Sequence, residues 1–218
     1  NGLMLQQEKL NQFDAILMLQ KDSKIYRPTL FDFLAHNALE FYKTDENSIT
    51  KPAYKFEIDD ALYLSDATQF SKLNITSKDT SSLQLNALKI YQDLVQFHLK
   101  DSDPFASADV DIKRLLYIKH HATFNNKEAL LLNALQTESN RLSSHEVSGL
   151  YDYEIANIYN QQGSTYLPLT NETSRWKIKE ALELCTSTIS KFPNSKAAEK
   201  CAVLKQQIEN ETLQITAE

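Results

Sequence analysis

The sequence predicts an all-α chain of antiparallel helical hairpins stacked side by side. Three observations carry that prediction. Among 218 residues there are only 3 glycines and 5 prolines, too few for the frequent tight turns of a sheet protein. Apolar residues recur at i, i+3, i+4 spacing through most of the chain. Capping and stop signals fall between those segments. Together they give eight or nine helices with short joins, read as a single helical domain over residues 1–218.

"LMLQQEKLNQFDAILMLQ" places Leu3, Leu5, Leu10, Phe13, Ile16, Leu17 and Leu19 on one stripe, a first helix broken by "YRP". Pro28 and Thr29 then open "TLFDFLAHNALEFYK", where Leu30, Phe31, Leu34, Ala38, Leu39 and Phe41 or Tyr42 form the apolar face. Residues 44–65, including "YKFEIDDALYLSD", lack a clear period and read as irregular. "TSKDTSS" turns into "LQLNALKIYQDLVQFHLK", with Leu85, Leu88, Tyr91, Leu94 or Val95, and His98 on one face. Asp103 and Pro104 are the N-cap and first position of the next helix. Asn125 or Asn126 caps "NKEALLLNALQTESNRL". Ser143 and Glu146 make a capping pair ahead of "LYDYEIANIYNQQG", which Gly163 stops. "STYLPLTNET" is a linker. "SRWKIKEALELCTSTISKF" and "SKAAEKCAVLKQQIENETL" are the last two helices.

Residues 142–212 carry the clearest repeat signal. A tetratricopeptide hairpin sets small residues where two helices approach, aromatics in the gap, and a proline after the second helix. Ile155-Ala156-x2-Tyr159 fits the first half, and Ala181-x3-Cys185 with Pro193 fits the second. Gly163 and Ala181 stand 18 residues apart, so the hairpin has an inserted loop. Ala38, Ala87, Ala134 and Ala181 recur at intervals of 49, 47 and 47, which fits stacked helical pairs or coincidence.

Cys185 and Cys201 are the chain's two cysteines, eight residues either side of Pro193. With a turn at Pro193-Asn194-Ser195, antiparallel helices bring them level after about 12 Å of rise on each side. Two readings follow: a pair of buried reduced thiols, or a disulfide, favoured if the protein is exported. A loop of that size closed by a disulfide would contribute roughly 3 kcal/mol.

A net charge of −6 and a pI near 5.4 disfavour a nucleic-acid binder, which needs a basic face. No apolar run is long enough to span a membrane. Asn1 stands where an initiator methionine would be, so a fragment of a larger protein is expected. The sequence has no GxSxG elbow, P-loop, GxGxxG or HExxH. His120 and His121 are adjacent, so on a helix they point about 100° apart and do not readily share a metal. "DSDPFASADVDI" lacks the glycine and glutamate of a calcium loop and reads as helix capping. Asp59-Asp60 could form an acid pair but has no matching pocket residue, the Ser144-His145 neighbours show no triad logic because a triad is spatial, and Asn74, Asn171 and Asn210 begin chance glycosylation sequons. The expectation is therefore no catalytic residue, no metal and no cofactor. For binding, Tyr153, Asn157, Asn160 and Gln161 share a helix face whose side chains suit an extended peptide, or form an ordinary solvated surface. Trp176, beside Arg175, is either an exposed anchor or a packing residue for the inserted loop.

Two stretches, "YRPTLFDFLAHNALEFY" (Tyr26 to Tyr42) and "KIKEALELCTSTISKFPNSKAAEKCAVLKQQI" (Lys177 to Ile208), resemble the helical region near the N-terminus of large alpha-2-macroglobulin-like proteins of Bacteroidetes bacteria. They cover about a quarter of the chain. The resemblance implies an exported helical module, in the periplasm or at the cell surface, belonging to a protease-trapping protein. That setting favours the Cys185–Cys201 disulfide. No thioester motif of the CxEQ type occurs here, so inhibition attaches to no residue of this chain. The expected role is a non-catalytic scaffold or protein-interaction module. A free-standing peptide-binding repeat protein is the alternative, and a helical enzyme a remote one.

Overall fold

A computed structural model describes residues 2–18, 22–44, 53–170 and 172–210. Ten α-helices form there, with no strand: α1 Gly2–Gln7, α2 Ser23–Tyr26, α3 Leu30–Tyr42, α4 Ala67–Phe70, α5 Leu83–His98, α6 Phe105–His121, α7 Lys127–Arg141, α8 Ser148–Gly163, α9 Lys177–Lys191 and α10 Lys196–Glu209. The protein is an all-α helical array. It divides into two compact units, residues 1–131 and 132–218.

In the first unit the expected N-terminal helix stops at Gln7. Lys9 forms an isolated antiparallel bridge with Thr29. The Leu10 amide donates to the Pro28 carbonyl at 2.9 Å, and the Leu30 amide donates to the Glu8 carbonyl at 2.8 Å. These bonds fix the backbone in an extended pairing that a helix excludes, and Leu10 is buried beneath them.

α3 starts on a reciprocal cap. The Thr29 hydroxyl accepts from the Asp32 amide, and the Asp32 carboxylate accepts from the Thr29 amide at 2.8 Å. The helix is rotated from the expected face. Asp32, Ala35, His36 and Leu39 are buried, while Leu34 and Phe41 are exposed. The rotation brings the free oxygen of Asp32 to His98 on α5. Asp32 Oδ1 lies 2.7 Å from His98 Nε2, and Asp101 Oδ2 lies 2.7 Å from His98 Nδ1. A carboxylate only accepts, so two carboxylates hold both ring nitrogens as donors, the imidazolium form. Burial opposes that charge, but the hydrogen bonds and charges of Asp32 and Asp101 outweigh it, and the pKa of His98 is raised.

α6 carries a second buried ionic cluster. It starts one residue later than the sequence suggests, with Pro104 rather than Asp103 at the N-cap, and Asp103 accepts from the Phe105 amide at 3.1 Å. Arg114 is fully buried. It donates to Asp111 Oδ1 from Nε and Nη2, and to the carbonyls of Tyr63 and Ser65 at 2.6 and 2.9 Å. Its guanidinium lies 4.3 Å from the centre of the Phe70 ring. One side chain thereby ties the irregular segment and α4 to α6.

In the second unit α8, α9 and α10 pack on one another. α8 begins at Ser148, later than the Ser143–Glu146 pair suggests, and the turn before it is closed by the Val147 amide donating to His145 Nδ1. Two glycines set the spacing. A Cβ on Gly149 would stand 2.7 Å from Ala197 Cβ and 2.8 Å from Thr188 Cγ2. A Cβ on Gly163 would stand 2.4 Å from Ile178 Cγ1 and 2.8 Å from the Ile178 backbone nitrogen. Gly163 does not have positive φ. It serves close approach, where the sequence suggests a left-handed helix stop. The α9–α10 turn is the one expected: Asn194 adopts φ 67°, a region that asparagine tolerates, and Ser195 Oγ accepts from the Ala198 amide at 3.1 Å.

Gly163→Ala is expected to cost about 1–3 kcal/mol through overpacking, because backbone cannot move aside as a flexible side chain can. Exposed Gln161→Ala is expected to stay within about 0.5 kcal/mol. Urea unfolding of the two variants, monitored in α8 to α10, compares them.

Candidate functional site

The α8–α10 stack is held by small side chains. Ala156, Ala181, Cys185, Cys201 and Leu204 form one buried cluster, with Tyr153, Tyr159, Leu184, Ile189 and Ile208 packed around it. The fold-back places the two cysteines together as the spacing suggests. The disulfide is corrected: Cys185 and Cys201 are free, buried thiols outside disulfide geometry. They hydrogen-bond to each other, and that bond together with burial raises the pKa of Cys201. In a water-excluded cluster the thiols act as small apolar side chains with one weak donor.

The five residues singled out for binding do not line the groove described below. Tyr153 is half-buried against α10, with Lys200 Nζ 4.5 Å from its ring centre. Asn157 hydrogen-bonds to Glu154. Asn160 is half-buried, and its carbonyl accepts from the Ser164 amide at 3.0 Å. Gln161 is exposed. Trp176 is 59% exposed at the start of α9, under the Arg175 guanidinium at 5.0 Å. Its packing reading is therefore not realised, and it stands on the surface.

A concavity of the second unit lies on the neighbouring α8 face. It is a groove of about 560 Å³ between α7, α8 and α9. Asp152 from α8 and Glu180 and Glu183 from α9 give it three carboxylates, and no lysine or arginine lines it. Gln136, Ser139 and Asn140 of α7 and Ser187 of α9 add hydrogen-bonding groups, while Ile155, Tyr159 and Leu184 form the apolar floor. Asp152 accepts from the Ser139 hydroxyl at 2.5 Å and from the Thr188 hydroxyl at 3.4 Å. Burial raises its pKa, against the effect of those two bonds and of Lys191. The Tyr159 hydroxyl accepts from Gln136 at 3.1 Å, and Lys177 Nζ sits 4.3 Å from the Tyr159 ring centre.

Two lysines outside the groove pair with its glutamates. Lys177 Nζ lies 2.7 Å from Glu180, and Lys179 Nζ lies 3.6 Å from Glu183. Such solvent-exposed pairs contribute at most about 1 kcal/mol each. An incoming cation therefore exchanges with them at small cost.

The signal for this groove was present in the spacing. Residues 152, 155 and 159, residues 180, 183, 184 and 187, and residues 136, 139 and 140 are each one helical face. Reading α8 from Tyr153 rather than Asp152 turns the chosen face by about 100°.

The remaining sequence candidates resolve locally. Asp60 Oδ1 accepts from the Leu62 amide at 2.8 Å, a cap for a short turn of helix, and Asp59 is exposed. Residues 105–112 are helical. Asn171 lies outside the described residues, and Asn74 and Asn210 are exposed. The His120 and His121 rings sit 4.7 Å apart at 86°. Among the described residues no group of three or more His, Cys, Asp or Glu side chains gathers to hold a metal ion, and no helix is long and apolar enough to cross a membrane.

Comparison with known proteins gives no match: no family model, no curated protein and no solved structure is similar to this chain.

Proposed function

We propose that the chain is a non-catalytic docking module whose α7–α8–α9 groove takes a lysine- or arginine-bearing segment of a partner protein. The observation that supports this reading is the groove's charge. Three carboxylates line it above an apolar floor, two of them answered only by Lys177 and Lys179 at its rim, so a basic side chain gains both ion pairing and burial of its stem. Groups such as Gln136, Ser139 and Asn140 offer partners to an extended backbone. The resemblance of residues 26–42 and 177–208 supplies the setting we propose, a helical module of a large exported alpha-2-macroglobulin-like protein. Macroglobulin domains encoded in the same reading frame would support that setting, and their absence from the full gene would remove it.

Fluorescence anisotropy with a labelled Lys/Ser peptide and its Glu/Ser counterpart tests the groove. The basic peptide is expected to bind and the acidic one not. Glu180→Gln/Glu183→Gln removes two exposed pairs and is expected to weaken the basic peptide about three- to tenfold. Equal binding of both peptides, or an unchanged affinity in the double variant, would overturn the proposal.

A further inference from the structure

The first unit contains a separate cavity of about 670 Å³, within the roughly 300–1,000 Å³ range of small-molecule sites. Its charge runs against that of the chain, which is −6. Arg27, Lys43 and Lys113 line it with one carboxylate, Glu40. Glu40 is committed to Lys43 at 2.9 Å, and Lys113 is paired from outside the lining by Asp109. Arg27 has no carboxylate partner among the described residues.

His36 provides an independent sign of a missing ligand. It lines this cavity, is 4% exposed, and its Nε2 has no hydrogen-bond partner among the described residues. A buried ring nitrogen without a partner is costly. Burial, followed by the charges of Arg27 and Lys113, lowers the pKa of His36 to about 3. The ring is thus neutral, with one nitrogen able to donate.

The rest of the lining is aromatic and apolar. Tyr117 lies against Tyr91 at 5.6 Å and against His121 at 4.5 Å between ring centres. All three line the cavity, together with Leu39 and Leu116. The cationic groups come from three elements: Arg27 follows α2, Lys43 ends α3, and Lys113 is on α6. Donors from several directions suit the tetrahedral oxygens of a phosphate better than a planar carboxylate.

We propose that this cavity binds a small phosphate monoester with a flat apolar body, the phosphate held by Arg27, Lys43 and Lys113 and the body laid against Tyr91, Tyr117 and His121. Isothermal titration of the 218-residue chain with phenyl phosphate, benzoate, inorganic phosphate and phenol, at matched ionic strength, tests this. Phenyl phosphate is expected to bind at least about tenfold tighter than benzoate or inorganic phosphate, since it alone uses both the charged and the aromatic lining. Phenol is expected to give no heat of binding. Arg27→Gln is expected to weaken phenyl phosphate about tenfold through loss of a charge-assisted bond, while the melting temperature stays unchanged. Lys113→Gln, at a site on another element, is expected to weaken it likewise. No binding of phenyl phosphate, benzoate binding as tightly, or full affinity in both variants would each overturn the assignment.

Discussion

Arg114→Met is expected to destabilise the first unit by about 3–5 kcal/mol, the cost of leaving a buried charge without its partner. Asp111 would keep a carboxylate in a dry interior with its nearest cation gone. The carbonyls of Tyr63 and Ser65 would lose their Arg114 donors as well. Methionine refills most of the volume, so the loss isolates charge and hydrogen bonding from packing. Arg114→Met/Asp111→Leu removes both charges and is expected to recover a large part of the stability, because no unpaired ion remains. Hydrogen exchange of the α6 amides reads both variants within this unit. If the double variant is no more stable than the single one, the carbonyl contacts rather than the ion pair hold the segment.

The second large effect belongs to His98. His98→Phe leaves Asp32 buried and unpaired, and is expected to cost about 3–5 kcal/mol. It should also remove a pH dependence. The folded-state pKa of His98 is raised, so its contribution is fully present below the unfolded value, about 6.5, and is lost as pH rises through the folded value. His36 acts in the opposite sense. Its folded pKa is lowered to about 3, so its contribution is present above about 6.5 and is lost as the solution is acidified. Above about pH 6.5 the His36 contribution is already fully present, so it does not mask the loss from His98. The wild-type first unit is therefore expected to lose stability as pH rises above about 6.5, the unfolded value. The His98→Phe variant is expected to stay level over the same interval. Denaturant unfolding at each pH, followed in α3 and α5, measures this, and a parallel decline in the variant would remove His98 as its source.

These two clusters also mark where the sequence stopped being informative. Helical periodicity finds contacts between residues three or four apart. It located α3, α5, α9 and α10, and it placed Ala156, Ala181, Cys185 and Cys201 at helix contacts. Asp32 and His98 are 66 residues apart, and nothing local indicates that a carboxylate will be buried by a distant histidine. Periodicity therefore put Leu34 on the apolar face and gave no sign of Asp32, whereas the structure exposes Leu34 and buries Asp32. The N-terminal stripe failed for a related reason, since backbone pairing with residues 28–30 outweighed a helix that local spacing favoured. The thiols illustrate a different limit. Spacing brought them together, but whether sulfurs bond is a matter of geometry and redox setting that spacing does not carry.

The α7–α8–α9 groove lies one residue of register away from the α8 face read from the sequence, and for His120 and His121 the sequence raises only the question of a shared metal. His120 and His121 both line the cavity of the first unit. Its cations, Arg27, Lys43 and Lys113, are spread over 87 positions and form no run in the sequence.

Nuclear magnetic resonance mapping of the basic Lys/Ser peptide on the isotopically labelled chain tests the docking reading most directly. The reading predicts shift changes concentrated at Gln136, Ser139, Asp152, Tyr159, Glu180 and Glu183, saturating together with one dissociation constant. Changes spread evenly over acidic surface residues, or centred on Tyr153 and Asn157 with the groove silent, would contradict it.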